Sequence, residues 1–328
     1  MKAIWRGFTS ILADSIQAYL EYKRAIKRKF WNEETVLRLL DRYLVEHRVN
    51  ALTNITPLLI EEFIASRPRK RSRSYNHLLG VTRCFFAWLV VQGRFECSPV
   101  RIRSRRATAL QRPFLFSSDQ VKQLLELTSR LPDRPKGPDR GQTYYLIFAL
   151  MYALGLRVGE VTRLRRCDID LRRQLLEINQ TKFAKDRLVP FGPSVGQRIA
   201  EYLARRSTRS GALLPEDPVF SFNDGGAINP CTISQTFHRL VTDRFKPPPG
   251  VAPPRLHCLR HSFAVSTLLR WYRSGIDPNT RLIHLSTFLG HADPASTAWY
   301  LTITAELLDE ANSRFESFAA PVIAESIL

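Results

Sequence analysis

The sequence predicts a mainly α fold with a small antiparallel β-sheet, in two domains, the first helical and the second mixed α+β. Three observations carry this expectation. The first hundred residues are a succession of helix-length apolar patterns with short connections. Two short apolar segments, 175–180 and 187–191, flank a turn-like TKFAKD in the manner of a hairpin. Between these regions lies an arginine-rich stretch bounded by Ser98-Pro99 and Arg112-Pro113, which reads as a linker. The expected limits are therefore residues 1–98, a basic linker at 99–113, and a second domain at 114–328. A chain of 328 residues is long enough for two domains with separate cores.

Taken in order, the chain predicts a helix over 8–29 and a second over 33–48 with Asn32 as its cap. A third begins at Thr56-Pro57 and runs to Ala65, because threonine caps well and proline suits the first helical position. A fourth spans 73–92 and stops at Gly93. The second domain opens with Ser117 and Gln120 at capping-box spacing ahead of a helix over 118–130. RLPDRPKGPDRG at 130–141 reads as a loop, and a helix over 142–154 halts at Gly155. Val219 to Phe222 is a candidate third strand. Asn229-Pro230 starts a helix to about Val241, and the stiff KPPPGVAPP precedes another beginning near His257. The last periodic segment, AELLDEANSRFESF, places Leu307, Leu308, Ala311, Phe315 and Phe318 on one side of a helix.

Charge narrows the function classes. The chain holds 49 Lys and Arg against 30 Asp and Glu, a net +19, and residues 1–112 hold 22 against 9. A first domain this basic points to a polyanion, most simply double-stranded DNA. Two clusters are the candidate backbone contacts: Arg69, Lys70, Arg71 and Arg73 at the entrance to the fourth helix, and Arg101, Arg103, Arg105 and Arg106 in the linker, where like charges would repel unless partnered. The five cysteines (Cys84, Cys97, Cys167, Cys231, Cys258) are scattered, with no CxxC, so neither a disulfide framework nor a zinc site is expected. Asp14 interrupts any apolar leader, and the longest apolar run, YYLIFALMYALGL, is too short to span a bilayer. These readings fit reduced thiols in a cytoplasmic protein.

The chemistry-bearing residues lie between Leu256 and Tyr300. In LHCLRHSF, His257, Arg260 and His261 share a helical face, and an Arg–His set of this kind suits an anion. FLGHADPASTAWY ends in a tyrosine nine positions after His291. Upstream stand LGLRVGEVTRL at 154–164, with Arg157 and Glu160, and the hairpin lysines Lys182 and Lys185. In isolation each has a bland reading: an ion-paired helix surface, packing, or a turn.

Together, and in this order, these motifs resemble the tyrosine recombinases, the family of phage integrases and Xer-type recombinases. All six of that family's active-site positions find a matching residue. The resemblance implies an N-terminal helical core-binding domain that clamps DNA and a tyrosine-recombinase catalytic domain. It implies Tyr300 as the nucleophile that leaves a 3′-phosphotyrosyl link, with Arg157 and Arg260 holding the phosphate oxygens. It implies Lys182, favoured over Lys185 by the count back from RLVP, as proton donor to the 5′-oxygen. His257 and His291 would complete the pocket and Glu160 support it, while His261 is read as structural. No cofactor or metal is expected. The resemblance further implies a homotetramer on DNA, with the C-terminal helix docking on a neighbouring protomer and not on its own domain. The wording around Trp299 and LTITAELLDEA is closer to recombinases of mobile elements than to Xer proteins, which suggests integration, excision or transposition. Two other classes compete: a DNA-binding accessory protein with a silent site, and a type IB topoisomerase with the same chemistry.

Overall fold

The computed structural model describes residues 7–26, 30–106, 111–135, 137–179, 186–222, 225–291, 293–302, 307–310, 312 and 316. Helices dominate it, with one three-stranded antiparallel sheet. The chain divides into two units, Met1–Leu110 and Gln111–Leu328.

In the first unit four helices, α1 (Ala13–Ala25), α2 (Trp31–Glu46), α3 (Pro57–Ala65) and α4 (Ser72–Val91), enclose a core that includes Tyr19, Leu40, Phe63, Phe85 and Leu89, all fully buried. Thr56 caps α3 as its sequence requires, its hydroxyl accepting from the Leu59 N–H. Two starts differ from expectation. Residues 8–12 are not helical, because the Asp41 carboxylate captures the Thr9 and Ser10 amides at 3.2 and 2.9 Å. The second helix begins one residue before Asn32, which lies inside it, and its cap is Phe30 in a left-handed conformation.

The stretch expected as a linker is partly fastened to α4. Val100 joins the first core, Arg83 donates to the Ile102 carbonyl at 2.6 Å, and the Asn76 amide exchanges two hydrogen bonds with the backbone of Arg105. Arg105 itself lies over the Tyr75 ring at 3.8 Å and donates to the Arg69 carbonyl. Of the expected DNA-contacting residues, Lys70, Arg71, Arg73, Arg101, Arg103, Arg105 and Arg106 are exposed and Arg69 half-buried.

The second unit begins with Arg112 paired to Val251 and the Phe116 amide donating to Ser262, contacts that tie its start to its later helices. The Ser117/Gln120 capping box is present ahead of α5 (Ser118–Ser129). There follow α6 (Arg140–Ala153), α7 (Val158–Arg163), the strands β1 (Ile169–Asp170), β2 (Leu175–Ile178) and β3 (Arg187–Pro190), then α8 (Pro193–Ser210), α9 (Pro230–Val241), α10 (Cys258–Arg273), α11 (Pro278–Leu289) and the short α12 (Ala295–Ala298). Phe116, Phe148, Phe237 and Phe245 meet edge-to-face in the main core. No helix among the described residues is long and apolar enough to cross a membrane.

The third strand is not the expected one. Strand order is β1-β2-β3, and Ile169–Asp170 supplies the edge. Val219 and Phe220 are both buried, without the alternation of a strand, and their backbone bonds run to Leu164 and Ile228. The last helix also departs from expectation. Residues 307–310 are helical, Leu307 is fully buried in a core with Leu268 and Leu285, and Arg273 of α10 donates to Glu310 at 3.1 Å. This part of the segment therefore folds back on its own domain, because α10 and α11 leave an apolar surface beside Tyr300 that Leu307 covers. Ala311, Phe315 and Phe318 lie outside the described residues.

Candidate active site

The site is built around the C-terminal end of α11. A helix leaves its last carbonyls without intrahelical partners, and those carbonyls carry the negative end of its dipole. Here three consecutive carbonyls each receive one arginine from elsewhere in the chain. Arg187, the first residue of β3, donates to Phe288; Arg260, on the first turn of α10, donates to Leu289; Arg157, just ahead of α7, donates to Gly290. Gly290 turns the chain with a φ of +67°, and a Cβ there would come within 2.8 Å of the Arg187 guanidinium. The turn delivers His291 directly beside the arginines.

Glu160 completes the framework. Its carboxylate is 2% exposed, accepts two bonds from Arg187 at 3.0 Å, one from the Arg157 guanidinium at 2.8 Å and one from the Arg157 amide at 2.9 Å. Burial alone would raise its pKa, but these bonds, Arg187 foremost, overcome it and hold the carboxyl at about 2. Arg260 is wholly buried. Its two terminal nitrogens donate to Gly155 and Leu289, while its Nε lacks a partner. Burial, and then the charge of Arg157, lower its pKa. Gly155 is required where it stands: its φ is +59°, and a Cβ would strike Phe263 and Leu289.

Tyr300, in a 3-10 turn over Trp299–Thr302, is 2% exposed. Its hydroxyl lies 2.7 Å from Nδ1 of His261. His257, with an open face to solvent at the start of α10, packs edge-on against His261 with ring centroids 4.6 Å apart. The His291 ring lies nearly parallel to Tyr300 at 6.4 Å, and its Nδ1 is engaged by the Thr297 hydroxyl at 2.6 Å. All three imidazoles are held neutral. Surrounding protein and then cationic neighbours lower His257 to about 3 and both His261 and His291 to about 4. Burial raises the Tyr300 phenol, against the pull of Arg260 and Arg157.

The structure thus brings together Arg157, Glu160, His257, Arg260, His291 and Tyr300 from four separate segments. Lys182 and its rival Lys185 lie outside the described residues. The base of their hairpin is secured: Asn179 donates to Asp168 at 3.1 Å, and Asp168 is itself buried and clamped by Arg165. The expected DNA-contacting residues Arg69, Lys70, Arg71, Arg73, Arg101, Arg103, Arg105 and Arg106 all belong to the first unit. Two residues escaped the sequence reading. Arg187 was visible only as the first letter of a strand, and His261 was assigned to packing although it follows Arg260 directly.

Chemically, the arrangement offers a phenol, an imidazole in contact with it, and two arginines suited to a tetrahedral or pentavalent oxyanion. Comparison with known proteins agrees. The sequence model of the phage integrase family matches residues 115–306. Two proteins of Sinorhizobium fredii bearing integrase/recombinase names, y4rB and y4rE, are 33% and 30% identical over 94% of this chain and 98% and 97% of their own lengths. The tyrosine recombinase XerD of Ralstonia nicotianae is 30% identical over 76% of this chain and 75% of its own. Among solved structures, the Tn1549 transposon integrase bound to transposon right end DNA superposes with a TM-score of 0.63 at 16% identity, covering 93% of this chain and 99% of that one. A lambda integrase dimer on a core site gives 0.62 at 18% identity, over 88% and 76%. At those identities the likeness is one of fold.

Proposed function

The chain belongs to the phage integrase family and is a tyrosine-type site-specific DNA recombinase, and we propose that it cuts and rejoins strands through a 3′-phosphotyrosyl intermediate on Tyr300. The observation that carries this is the Tyr300 hydroxyl held 2.7 Å from His261, with His291 beside its ring and the charges of Arg260 and Arg157 acting on it. The oxygen of Tyr300 attacks the scissile phosphorus, and the 5′-oxygen departs with a proton from Lys182. Arg157 and Arg260 hold the non-bridging oxygens as charge builds, an effect worth about 3–4 kcal/mol for each donor of this kind. Glu160 and Arg187 keep Arg157 in place. His257 and His291 donate to the phosphate, whose negative charge restores some of their basicity. The tyrosyl ester conserves the bond energy, so a second 5′-hydroxyl reverses the step on a new partner.

The first unit, with its two basic clusters, serves as the clamp on duplex DNA, and the linker carries the chain between the two domains. The working form is a homotetramer on DNA, because exchange between two duplexes requires four strands to be cut. The similarity to y4rB, together with a fold shared with a transposon integrase, supports a role in moving a mobile element, inside the cytoplasm where chromosomal DNA lies.

A nicked suicide substrate tests the core of this reading. Wild-type protein should accumulate a covalent adduct, and Tyr300→Phe should bind the DNA and form none; an adduct of equal yield from that variant removes Tyr300 as nucleophile. Replacing the bridging 5′-oxygen by sulfur, which departs without a proton, should restore Lys182→Ala and leave Arg157→Ala slow. Rescue of Lys185→Ala instead would move the acid three residues along the hairpin.

A further inference from the structure

Of the three imidazoles around Tyr300, His261 is the one hydrogen-bonded to its hydroxyl, at 2.7 Å through Nδ1. His291 faces the phenol ring at 6.4 Å, with its own Nδ1 on Thr297. His257 touches His261, ring to ring. His261 packs edge-on against His257 and Trp299, with ring centroids 4.6 and 6.0 Å away, and these contacts hold its orientation toward the hydroxyl. A general base must stand within hydrogen-bond reach of the proton it takes, and His261 does so.

We propose that His261 is the proton acceptor of Tyr300, a catalytic residue of this recombinase; this rests on the reading of Tyr300 as nucleophile. In the cleavage step the Tyr300 O–H bond breaks as its oxygen bonds to phosphorus. The proton passes to Nδ1 of His261, and the P–O5′ bond breaks with the electron pair leaving on the 5′-oxygen, which Lys182 protonates. In the rejoining step an incoming 5′-hydroxyl attacks and gives its proton to the Lys182 amine, the phosphorus bond to the Tyr300 oxygen breaks, and His261 returns the held proton to that oxygen. The same geometry keeps the nucleophile silent without DNA. Burial and the Arg260 charge leave His261 too weak a base to ionise a phenol that burial has raised. A phosphodiester seated beside Arg260 and Arg157 brings the negative charge that shifts the balance toward transfer.

The test is single-turnover cleavage of the nicked substrate by His261→Ala and His261→Asn, with thermal melting and gel shifts to establish folding and DNA binding. Asparagine retains an acceptor near Nδ1 and cannot take the proton. Both variants should bind DNA within about twofold of wild type and cleave about 10²–10⁴-fold more slowly. Imidazole in solution should recover at least about tenfold for the alanine variant. Sulfur at the 5′ position should rescue neither, because it relieves only the leaving group. The charged and titratable groups facing His261 are His257 and Arg260 on its own helix, His291 from the turn after α11, and Tyr300 itself. The loss of cleavage as pH falls toward 4, where His261 takes up a proton, should therefore survive His257→Asn and disappear in His261→Asn. A His261→Asn protein cleaving at the wild-type rate overturns the proposal and reduces His261 to a positioning contact. If Tyr300→Phe then still forms no adduct, the nucleophile assignment stands and only the base is lost; if it does form one, both fall together.

Discussion

Around the end of α11, Arg260 is buried, Arg187 nearly so and Arg157 partly, and each ends on a main-chain carbonyl. On the first unit, Arg71, Arg73, Arg101, Arg103 and Arg106 stand in solvent. The residue type is the same and the physics is opposite. A buried guanidinium costs several kcal/mol to desolvate, and the chain offsets this with fixed acceptors, so the group is preorganised and cannot be moved cheaply. An exposed one keeps its water, is screened by salt, and gains only when a polyanion displaces counterions. The first arrangement suits a transition state. The second suits a long, featureless backbone. Arg105 sits between them, exposed but laid over Tyr75.

The largest effect that would test this contrast is at Arg260. Arg260→Ala orphans the Gly155 and Leu289 carbonyls and should cost about 3 kcal/mol of folding stability, besides lowering cleavage by about 10²–10³-fold. Arg260→Lys should fail too, since one ammonium does not reproduce a fork spanning two carbonyls. Urea melts unchanged by either substitution would mean the arginine is held less firmly than its contacts indicate.

Next is the pH dependence of Glu160. Its folded pKa of about 2 lies below the ordinary value of 4.5, so its contribution is fully present above pH 4.5 and is lost as pH falls toward 2. A shift of this size corresponds to about 3 kcal/mol. In denaturation from pH 7 down to pH 3, the stability advantage of wild type over Glu160→Gln should be constant above pH 4.5 and shrink below it. A gap that stays constant across the range would show that the arginines do not depend on the carboxylate charge.

A pair of glycines sharpens the comparison further. Gly290 and Gly93 share a φ of +67°, but a Cβ at Gly290 meets Arg187 at 2.8 Å while one at Gly93 meets nothing within 4 Å. Alanine at Gly93 should cost about 1 kcal/mol from the backbone alone. Gly290→Ala should cost more, and only the excess reports how immovable the site arginine is. Equal penalties in thermal melts would show that Arg187 simply steps aside.

The smallest effects belong to the exposed set. Arg103→Ala should leave the melting temperature unchanged and reduce the salt slope of DNA binding by about one contact. Arg105→Ala should add a destabilisation of about 0.5–1 kcal/mol from the lost Tyr75 stacking. A large stability loss in Arg103→Ala would abolish the distinction between the two regions.

Local signals were legible in the chain. Thr56-Pro57, the Ser117/Gln120 box and Asn229-Pro230 all start helices, because a cap needs only neighbours within three residues. Helices α8 and α11 passed unread although each opens with a proline at its first position and α11 with the Asp277 cap. The third strand was misplaced because Ile169–Asp170 has two residues and no periodicity to detect. His261 was passed over because nothing within one helix turn distinguishes a packed imidazole from one meeting a tyrosine 39 positions away.

By itself the sequence determined which groups this protein has and in what order: the basic first third, the capped helices, and the six motif positions that mark the family. Tertiary structure decided what those groups are paired with. Arg157 finds the Gly290 carbonyl 133 residues away and Arg260 finds that of Gly155 at a distance of 105. Neither partner is a side chain, so no residue letter records it. The same holds for charge state. A histidine reads as a switch near neutral pH from its side chain alone, and only the surrounding protein and the charge of Arg260 lower the three imidazoles here well below that range. Desolvation and long-range contact are properties of the folded arrangement, and they are what convert a familiar set of residues into a site.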